Sequence, residues 1–303
     1  MKCLVTGADG FIGSNLSLEL EKAGHTVIAL SHSGRNAKNL EGFKGTAPRG
    51  DIRTFDYDSL GKLDAIFHQA AITDTTVMDE ELMYSVNVTA FEKILDFARR
   101  TGCPKVVYAS SAATYGKGSV PMKEDQVPAP ANIYGKSKVV MDKAAREFNK
   151  KHPEVSIVGL RYFNVYGPRE YHKNKSASMV YQLYSQISSG KPPRVFKWGE
   201  QYRDIIYVKD VVKANLCAYT FRGSDIFNVG TAIPTSFNKT IEILNGLLKS
   251  NKPTDYFDNP YDFFQEATLA DMKLSNNKLK FSPDFPPEKG IADYVKILKQ
   301  PNP

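Results

Sequence analysis

Short apolar runs alternate with longer amphipathic stretches through the first half of the chain. The runs at 2–6, 26–30, 65–69, 105–110 and 155–160 are rich in Val and Ile, the pattern of strands buried on both faces. The stretch 14–23 places Leu16, Leu20 and Ala23 on one helical face and stops at Gly24, a residue suited to a left-handed helix cap. Longer amphipathic stretches at 80–100 and 132–151 predict further helices. Strand and helix in alternation predict an α/β fold built on a doubly wound parallel sheet. After Gly167 the rhythm changes: Pro192-Pro193, Pro253, Pro260, Pro283 and Pro286-Pro287 cut the chain into short pieces. This predicts a smaller C-terminal α/β lobe over 167–303, with 1–166 forming the larger unit and about 203–230 returning to it. Neither internal repeats nor a low-complexity linker interrupt the pattern.

Composition narrows the class. The chain has 303 residues, 42% hydrophobic and 24% charged, enough for a self-sufficient core. No run of about 18 apolar residues exists, so no membrane partner is expected. A strand begins at residue 2 and leaves no room for a signal peptide, and Cys3, Cys103 and Cys217 are scattered, as reduced thiols are. Both features predict a cytoplasmic protein. The net charge of +7 is dispersed and accompanies no nucleic-acid motif, which favours a phosphate-bearing small substrate over nucleic acid.

The first predicted strand runs into Gly7-Ala8-Asp9-Gly10-Phe11-Ile12-Gly13 and then a helix. Such a turn lets backbone approach a pyrophosphate and rests the anion on a helix N-terminus, the dinucleotide-binding feature of a Rossmann sheet. The spacing is G-x-x-G-x-x-G rather than the commoner G-x-G-x-x-G. The second strand ends Leu30-Ser31-His32-Ser33-Gly34-Arg35. Enzymes that use NAD usually carry an acid here for the ribose 2′-hydroxyl. None is present, and Arg35 suits a 2′-phosphate, so NADP is the expected cofactor and NAD the alternative. Asp51 and Ile52 are candidates for the adenine end.

The strand beginning at Lys105 leads to Ser110-Ser111, and Tyr134-Gly135-Lys136-Ser137-Lys138 opens a helix 23 residues beyond Ser111. Tyr134 and Lys138, four apart, share a helix face. A lysine beside a phenol is expected to favour the phenolate and lower its pKa. Ser111 can hold a reacting substrate oxygen while Tyr134 moves its proton, a constellation for hydride transfer to nicotinamide. No histidines stand at metal-ligand spacing, and no metal is expected.

With Asn87, Arg203-Asp204-Ile205-Ile206-Tyr207 and Phe227-Asn228-Val229-Gly230, these motifs resemble the extended short-chain dehydrogenases/reductases over essentially the whole chain. That family acts on nucleotide sugars as epimerases, dehydratases or reductases. Within it, the matching stretches are Phe67-His68, Thr75-Thr76, the Ser111 segment through Gly116, and Arg161 through Glu170 followed by His172-Lys173 and Ala177-Ser178. They resemble the ADP-L-glycero-D-manno-heptose 6-epimerases, which set the heptose stereocentre for bacterial lipopolysaccharide. The resemblance implies a nucleotide-sugar substrate, a homo-oligomer and Lys173 as a second catalytic base. It also implies Ala70, Ala71, Asn87 and Val165 at the cofactor, and Thr73, Thr75, Asn164, Gln182, Phe196, Arg203 and Phe264 at the substrate. The chain departs from that pattern at Ser31-His32, at Lys175, and at Phe263-Phe264-Gln265 where Arg-Tyr-Gln is expected.

Other readings remain open. A C4 epimerase of a UDP-sugar would share Ser111, Tyr134 and Lys138 without needing Lys173, and an NADP-dependent nucleotide-sugar reductase would use the same three. A dehydratase would want an acid pair where this chain has Ala112-Ala113. A non-catalytic binding protein would have no use for a proton-transfer tyrosine.

Overall fold

The computed structural model describes residues 1–259 and 266–300, with the side chain of Lys175 outside the described set. The first half gives β1 (Lys2–Thr6), α1 (Phe11–Lys22), β2 (Thr26–Leu30), β3 (Ala65–His68), α2 (Glu80–Tyr84), α3 (Ala90–Thr101), β4 (Lys105–Ser111), α4 (Ile133–Lys151) and β5 (Ser156–Tyr162). The second half gives β6 (Asn164–Tyr166), α5 (Met179–Ser188), β7 (Arg194–Phe196), β8 (Tyr202–Tyr207), α6 (Val208–Thr220) and β9 (Asp225–Val229). It ends with β10 (Pro234–Ser236), α7 (Phe237–Leu248), β11 (Asp255–Phe257) and α8 (Pro287–Leu298).

Six strands form one sheet in the order β2-β1-β3-β4-β5-β9, parallel throughout. Alternate residues of each strand feed opposite faces. Cys3 and Val5 of β1 join Leu16 and Leu20 of α1 and Val211 and Ala214 of α6 on one side. Leu4 joins Phe91 and Ile94 of α3 and Met141 of α4 on the other. This two-sided burial is what drew the strands as continuous apolar runs, and the sheet is the expected doubly wound, Rossmann-like one. From β1 the chain winds outward to β2, then crosses back to β3. The crevice between β1 and β3 is therefore the switch point at which such sheets bind ligands.

The stretch 80–100 is not one regular helix. Asp79 caps α2 by accepting from the Leu82 amide, and a π-helical turn over Ser85–Thr89 separates α2 from α3. The extra residue per turn carries the Asn87 side chain inward, where it bonds both backbone groups of Ile72.

A second set of elements follows β5. β8 pairs parallel to β6 and antiparallel to β10, and β7 pairs parallel to β11. Their apolar faces meet α5, α7 and α8 in a separate core that includes Tyr166, Leu183, Tyr207, Leu244 and Tyr294. Within the span 203–230, α6 and β9 lie on the six-stranded sheet whereas β8 belongs to the three-stranded one.

Candidate active site

The glycine turn forms because nothing larger fits. Gly7 sits at φ +64°, and a Cβ there would lie 2.7 Å from the Ala70 Cα. A Cβ on Gly13 would lie 2.1 Å from the Gly7 carbonyl oxygen. Gly10 precedes α1 without any side-chain cap, so the first amides of the helix face the crevice as anion donors. The Ala70 amide is held by Thr6 Oγ1 at 3.2 Å, which fixes the loop leaving β3 beside the turn.

At the end of β2, Ser31 is buried and both its backbone groups are paired, with Pro48 and Gly50. Arg35 is exposed in the loop beyond. The Asp51 carboxylate accepts from Arg53 Nε at 3.0 Å and lies 3.6 Å from His32 Nε2. The Arg53 contact is the main cause that pulls its pKa down to about 2. Ile52 is packed in the core, which leaves only its backbone for an adenine. Asn87 donates to Ser137 Oγ at 3.1 Å as well as bonding Ile72, so its amide braces the loop after β3 against α4.

Beside this turn lies a cleft of about 810 Å³ whose walls come from both halves of the chain. Ser111 ends β4, and Tyr134 and Lys138 occupy the first turns of α4, whose N-terminus is capped by Asn132 Oδ1 accepting from the Gly135 amide. All three line the cleft. Lys138 is 1% exposed, and its ammonium donates to the Ala109 carbonyl at 2.8 Å. Burial pushes its pKa down to about 8, partly opposed by Asp142.

The pairing corrects one expectation. Burial raises the Tyr134 pKa, and the contact that pulls it back is a hydrogen bond with Ser111 rather than the charge of Lys138. The ammonium lies 5.8 Å from the ring centroid and points at a backbone carbonyl. Desolvation, which no local motif reveals, wins over a charge at that range.

The opposite wall is the loop after β6. Glu170 is fully buried, and its carboxylate accepts from the Gly167 amide at 3.0 Å and the Ser178 hydroxyl at 2.8 Å. Those bonds hold the ends of the segment between them. Lys173 lines the cleft, with its ammonium 5.7 Å from the centre of the Phe11 ring. Burial lowers its pKa, opposed by Glu170.

Phe11, Ile12, Ala71, Thr73, Thr75, Asn164, Val165, Gln182, Phe196 and Arg203 also line this cleft. The Asn164 amide nitrogen donates to the Asp204 carbonyl and to Thr268 Oγ1, each at 3.0 Å. The Arg203 guanidinium donates to the Glu266 carbonyl at 3.0 Å, and burial lowers its pKa to about 10. Gly7, Gly10, Gly13, Ser31, Arg35, Asp51, Ile52, Ala70 and Asn87 are not in its lining. Phe264 lies outside the described residues.

Some lining residues escaped the sequence reading. Tyr162 donates to Gln69 Oε1 at 3.1 Å, and Asn215 bonds both, which closes a ring of polar groups under the cleft. Arg194 stacks 4.7 Å over Phe257 at the far end, where Phe257 meets Phe196 edge to face. Gln69 and Arg194 belong to no local motif, and only the topology brings them in. Among the described residues, no group of three or more His, Cys, Asp or Glu side chains could hold a metal ion. Nor is any described helix long and apolar enough to cross a membrane.

Residues 3–230 match the model of the NAD dependent epimerase/dehydratase family. Among solved structures, the chain is similar to ADP-L-glycero-D-manno-heptose-6-epimerase of Helicobacter pylori, at 38% identity over 98% of this chain and 96% of that one, with a TM-score of 0.88. It is also similar to the UDP-N-acetylglucosamine 4-epimerase of Methanobrevibacter ruminantium M1, at 28% identity over 98% and 97% of the two chains, with a TM-score of 0.91. A third is the UDP-glucuronic acid 4-epimerase of Bacillus cereus, solved with UDP-glucuronic acid and NAD, at 27% identity over 98% and 100%, with a TM-score of 0.86. Motif order, six-stranded sheet and matched length agree, and the chain belongs to the NAD dependent epimerase/dehydratase family of enzymes.

Proposed function

We propose that this protein is an ADP-glycero-manno-heptose 6-epimerase that uses NADP. The observation that carries the reading is the second cleft wall: a half-buried lysine, Lys173, on a loop built around the buried Glu170, beside the Ser111, Tyr134 and Lys138 set. The identity of 38% to a heptose 6-epimerase supports the same choice.

The uncapped turn at Gly7, Gly10 and Gly13, where no Cβ could be accommodated at Gly7 or Gly13, fits a dinucleotide pyrophosphate. A bound nicotinamide would accept a hydride from the sugar and return it. Tyr134 takes the proton from the sugar hydroxyl, with Ser111 holding the same oxygen. Lys138 keeps a positive charge near the phenol while anchored to Ala109. After the keto-sugar turns its other face, its oxygen is out of reach of Tyr134, and the Lys173 ammonium gives a proton of its own there; exchange with solvent then takes the proton from Tyr134 and restores that of Lys173. Its lowered pKa suits a lysine to that exchange. Arg203 and Asn164 bind the diphosphate and sugar, and Phe196 the base.

For the cofactor, Arg35 follows a strand end that carries no acid. Arg49 adds a second guanidinium, close enough that a Cβ on Gly34 would lie 2.6 Å from its Nε. Both favour a 2′-phosphate.

The likeness to UDP-sugar 4-epimerases, with a TM-score as high as 0.91, supports the alternative of C4 epimerisation on a UDP-sugar. Such an enzyme can swing the whole ring and present its oxygen to Tyr134 on both passes. Incubation with ADP-, UDP- and GDP-linked sugars, with products resolved by NMR, should find inversion in the ADP-linked heptose. Lys173→Met should then abolish epimerisation yet leave the dinucleotide bound. Wild-type turnover in that variant would refute the two-base reading and favour the C4 epimerase.

A further inference from the structure

The loop that bears Lys173 is bolted to the glycine turn by side chains that line neither. Asn39 lies in a 3-10 helix, Ala37–Leu40, after β2, and is 1% exposed. Its amide donates to the Asp9 carbonyl in the glycine turn at 2.9 Å and to the Arg169 carbonyl at 3.3 Å. The same nitrogen lies 3.2 Å from His172 Nδ1, next to Lys173. Arg169 answers from the other side: its Nε donates to the Asn39 carbonyl at 3.1 Å and its guanidinium to Asn15 Oδ1 of α1 at 3.2 Å. Asn15 in turn donates to the Pro168 carbonyl at 2.9 Å. Arg169 adopts φ +74°, a conformation that a non-glycine residue keeps only when its neighbours hold it.

We propose that Asn39 and Arg169 form a clasp through which a dinucleotide seated on the glycine turn sets the position of Lys173. One end of the clasp bonds the glycine turn at Asp9, and the other reaches Phe11 through Asn15, whose amide donates to the Phe11 carbonyl at 2.9 Å. Asp9 belongs to the turn itself, and Phe11, whose ring faces the Lys173 ammonium, is the first residue of α1. A displacement of the turn or of residues 37–40 therefore reaches residues 167–173 through hydrogen bonds rather than through solvent. Asn39 and Arg169 do not line the cleft, so they are positioning residues and touch no reacting atom. Coupling of this kind is reciprocal: the state of the Lys173 loop must also alter dinucleotide affinity. The proposal rests on the reading above for two points, that Lys173 works in the cleft and that the dinucleotide is NADP, and calorimetry of NADP binding to the wild type checks the second separately.

The test reads the lysine directly. The full-length protein is treated with trace acetic anhydride, with and without saturating NADP, and acetylation of Lys173 is measured by peptide mass spectrometry. In the wild type, dinucleotide should change the labelling rate by about five-fold or more, the lower end of ordinary coupling. In Asn39→Ala and Arg169→Met, with saturation verified by calorimetry, the change should shrink to below about two-fold. In both variants kcat should fall by about ten-fold or more while KM moves little, as expected for a misplaced group. Equal changes in wild type and variants would mean that the dinucleotide shields the lysine itself and would overturn the clasp, as would the absence of any change in the wild type. Should Asn39→Ala fail to fold, Arg169→Met, at the less buried end, decides alone. Full epimerisation by Lys173→Met would remove the second-base role, and the labelling result would still stand or fall by itself.

Discussion

Lys138 carries a burial penalty that its replacement should relieve. The ammonium is 1% exposed, bonded to the Ala109 carbonyl and, weakly, to the Met141 sulfur, and its pKa is lowered from 10.5 to about 8, chiefly by desolvation. At about 1.36 kcal/mol per unit, folding with this side chain charged costs on the order of 3 kcal/mol. Lys138→Met removes that charge, but it leaves the Ala109 carbonyl without its donor, a loss of about 1.5–3 kcal/mol. The opposing effects nearly cancel, so the variant should match the wild type at pH 7 to within about 1–2 kcal/mol. Its activity should nevertheless fall by about 10² or more, because the cleft beside Ser111 and Tyr134 loses the cation that faces the charge developing during proton transfer. The pH dependence separates this from a coincidence. A folded-state pKa below the unfolded one means that the unfolded chain binds the proton more tightly between about pH 8 and pH 10.5. Wild-type stability relative to the variant should therefore rise through that window by about 1 kcal/mol per pH unit, and be flat below it. Lys105, lowered to about 8 by its own burial, shifts both proteins alike and drops out of the difference. Urea denaturation at pH 7, 8, 9 and 10 measures it. Parallel pH curves for the two proteins would show that the ammonium is not desolvated as described, and the reasoning would fail.

Tyr134→Phe should keep fold and dinucleotide binding while losing about 10²–10⁴-fold in rate; near-normal turnover would mean that the proton takes another route. Arg35→Ala should weaken NADP binding by about ten- to a hundred-fold, a charge-assisted contact's worth, and leave NAD unchanged, whereas calorimetry showing tighter NAD binding to the wild type would remove the NADP assignment. Glu170→Gln replaces an acceptor of the Gly167 and Ser178 groups with one that has a single carbonyl. It should cost about 1–3 kcal/mol in urea denaturation and lower epimerisation more than a Tyr134-dependent oxidation half-reaction; equal losses in the two would detach Glu170 from the Lys173 loop.

What the sequence discloses depends on how local the cause is. The strands of the first half are apolar because helices cover both sheet faces, and that burial is written in each strand separately. The glycine turn and the Ser111, Tyr134 and Lys138 set are likewise short-range patterns, and they lie together in one region of the fold. Residue Asn87 illustrates the opposite case. A periodic stretch of hydrophobic residues predicts an unbroken helix through it, yet a π-helical turn forms there so that a single amide can satisfy both backbone groups of Ile72. That demand comes from a loop 15 residues away and leaves no mark on the local periodicity.

The same distinction explains why proton affinities were harder to foresee than positions. The four-residue spacing brings Lys138 near Tyr134, but the sign of the phenol's shift is decided by desolvation, a property of everything packed around the ring rather than of its helix alone. Tyr134, ordinarily near 10, is raised while Lys138, ordinarily near 10.5, is lowered to about 8, so the two groups are driven apart, because desolvation disfavours the charged form of each. Lys173, lowered by burial on its own wall, moves in the same direction as Lys138 and away from Tyr134. For an enzyme that takes a proton at one wall and gives one at the other, this separation is useful: a raised phenol pKa makes the phenolate the stronger base, and a lowered lysine pKa makes the ammonium the stronger acid. Burial in one shared cleft sets both shifts, and the motifs that single out these residues carry no mark of it.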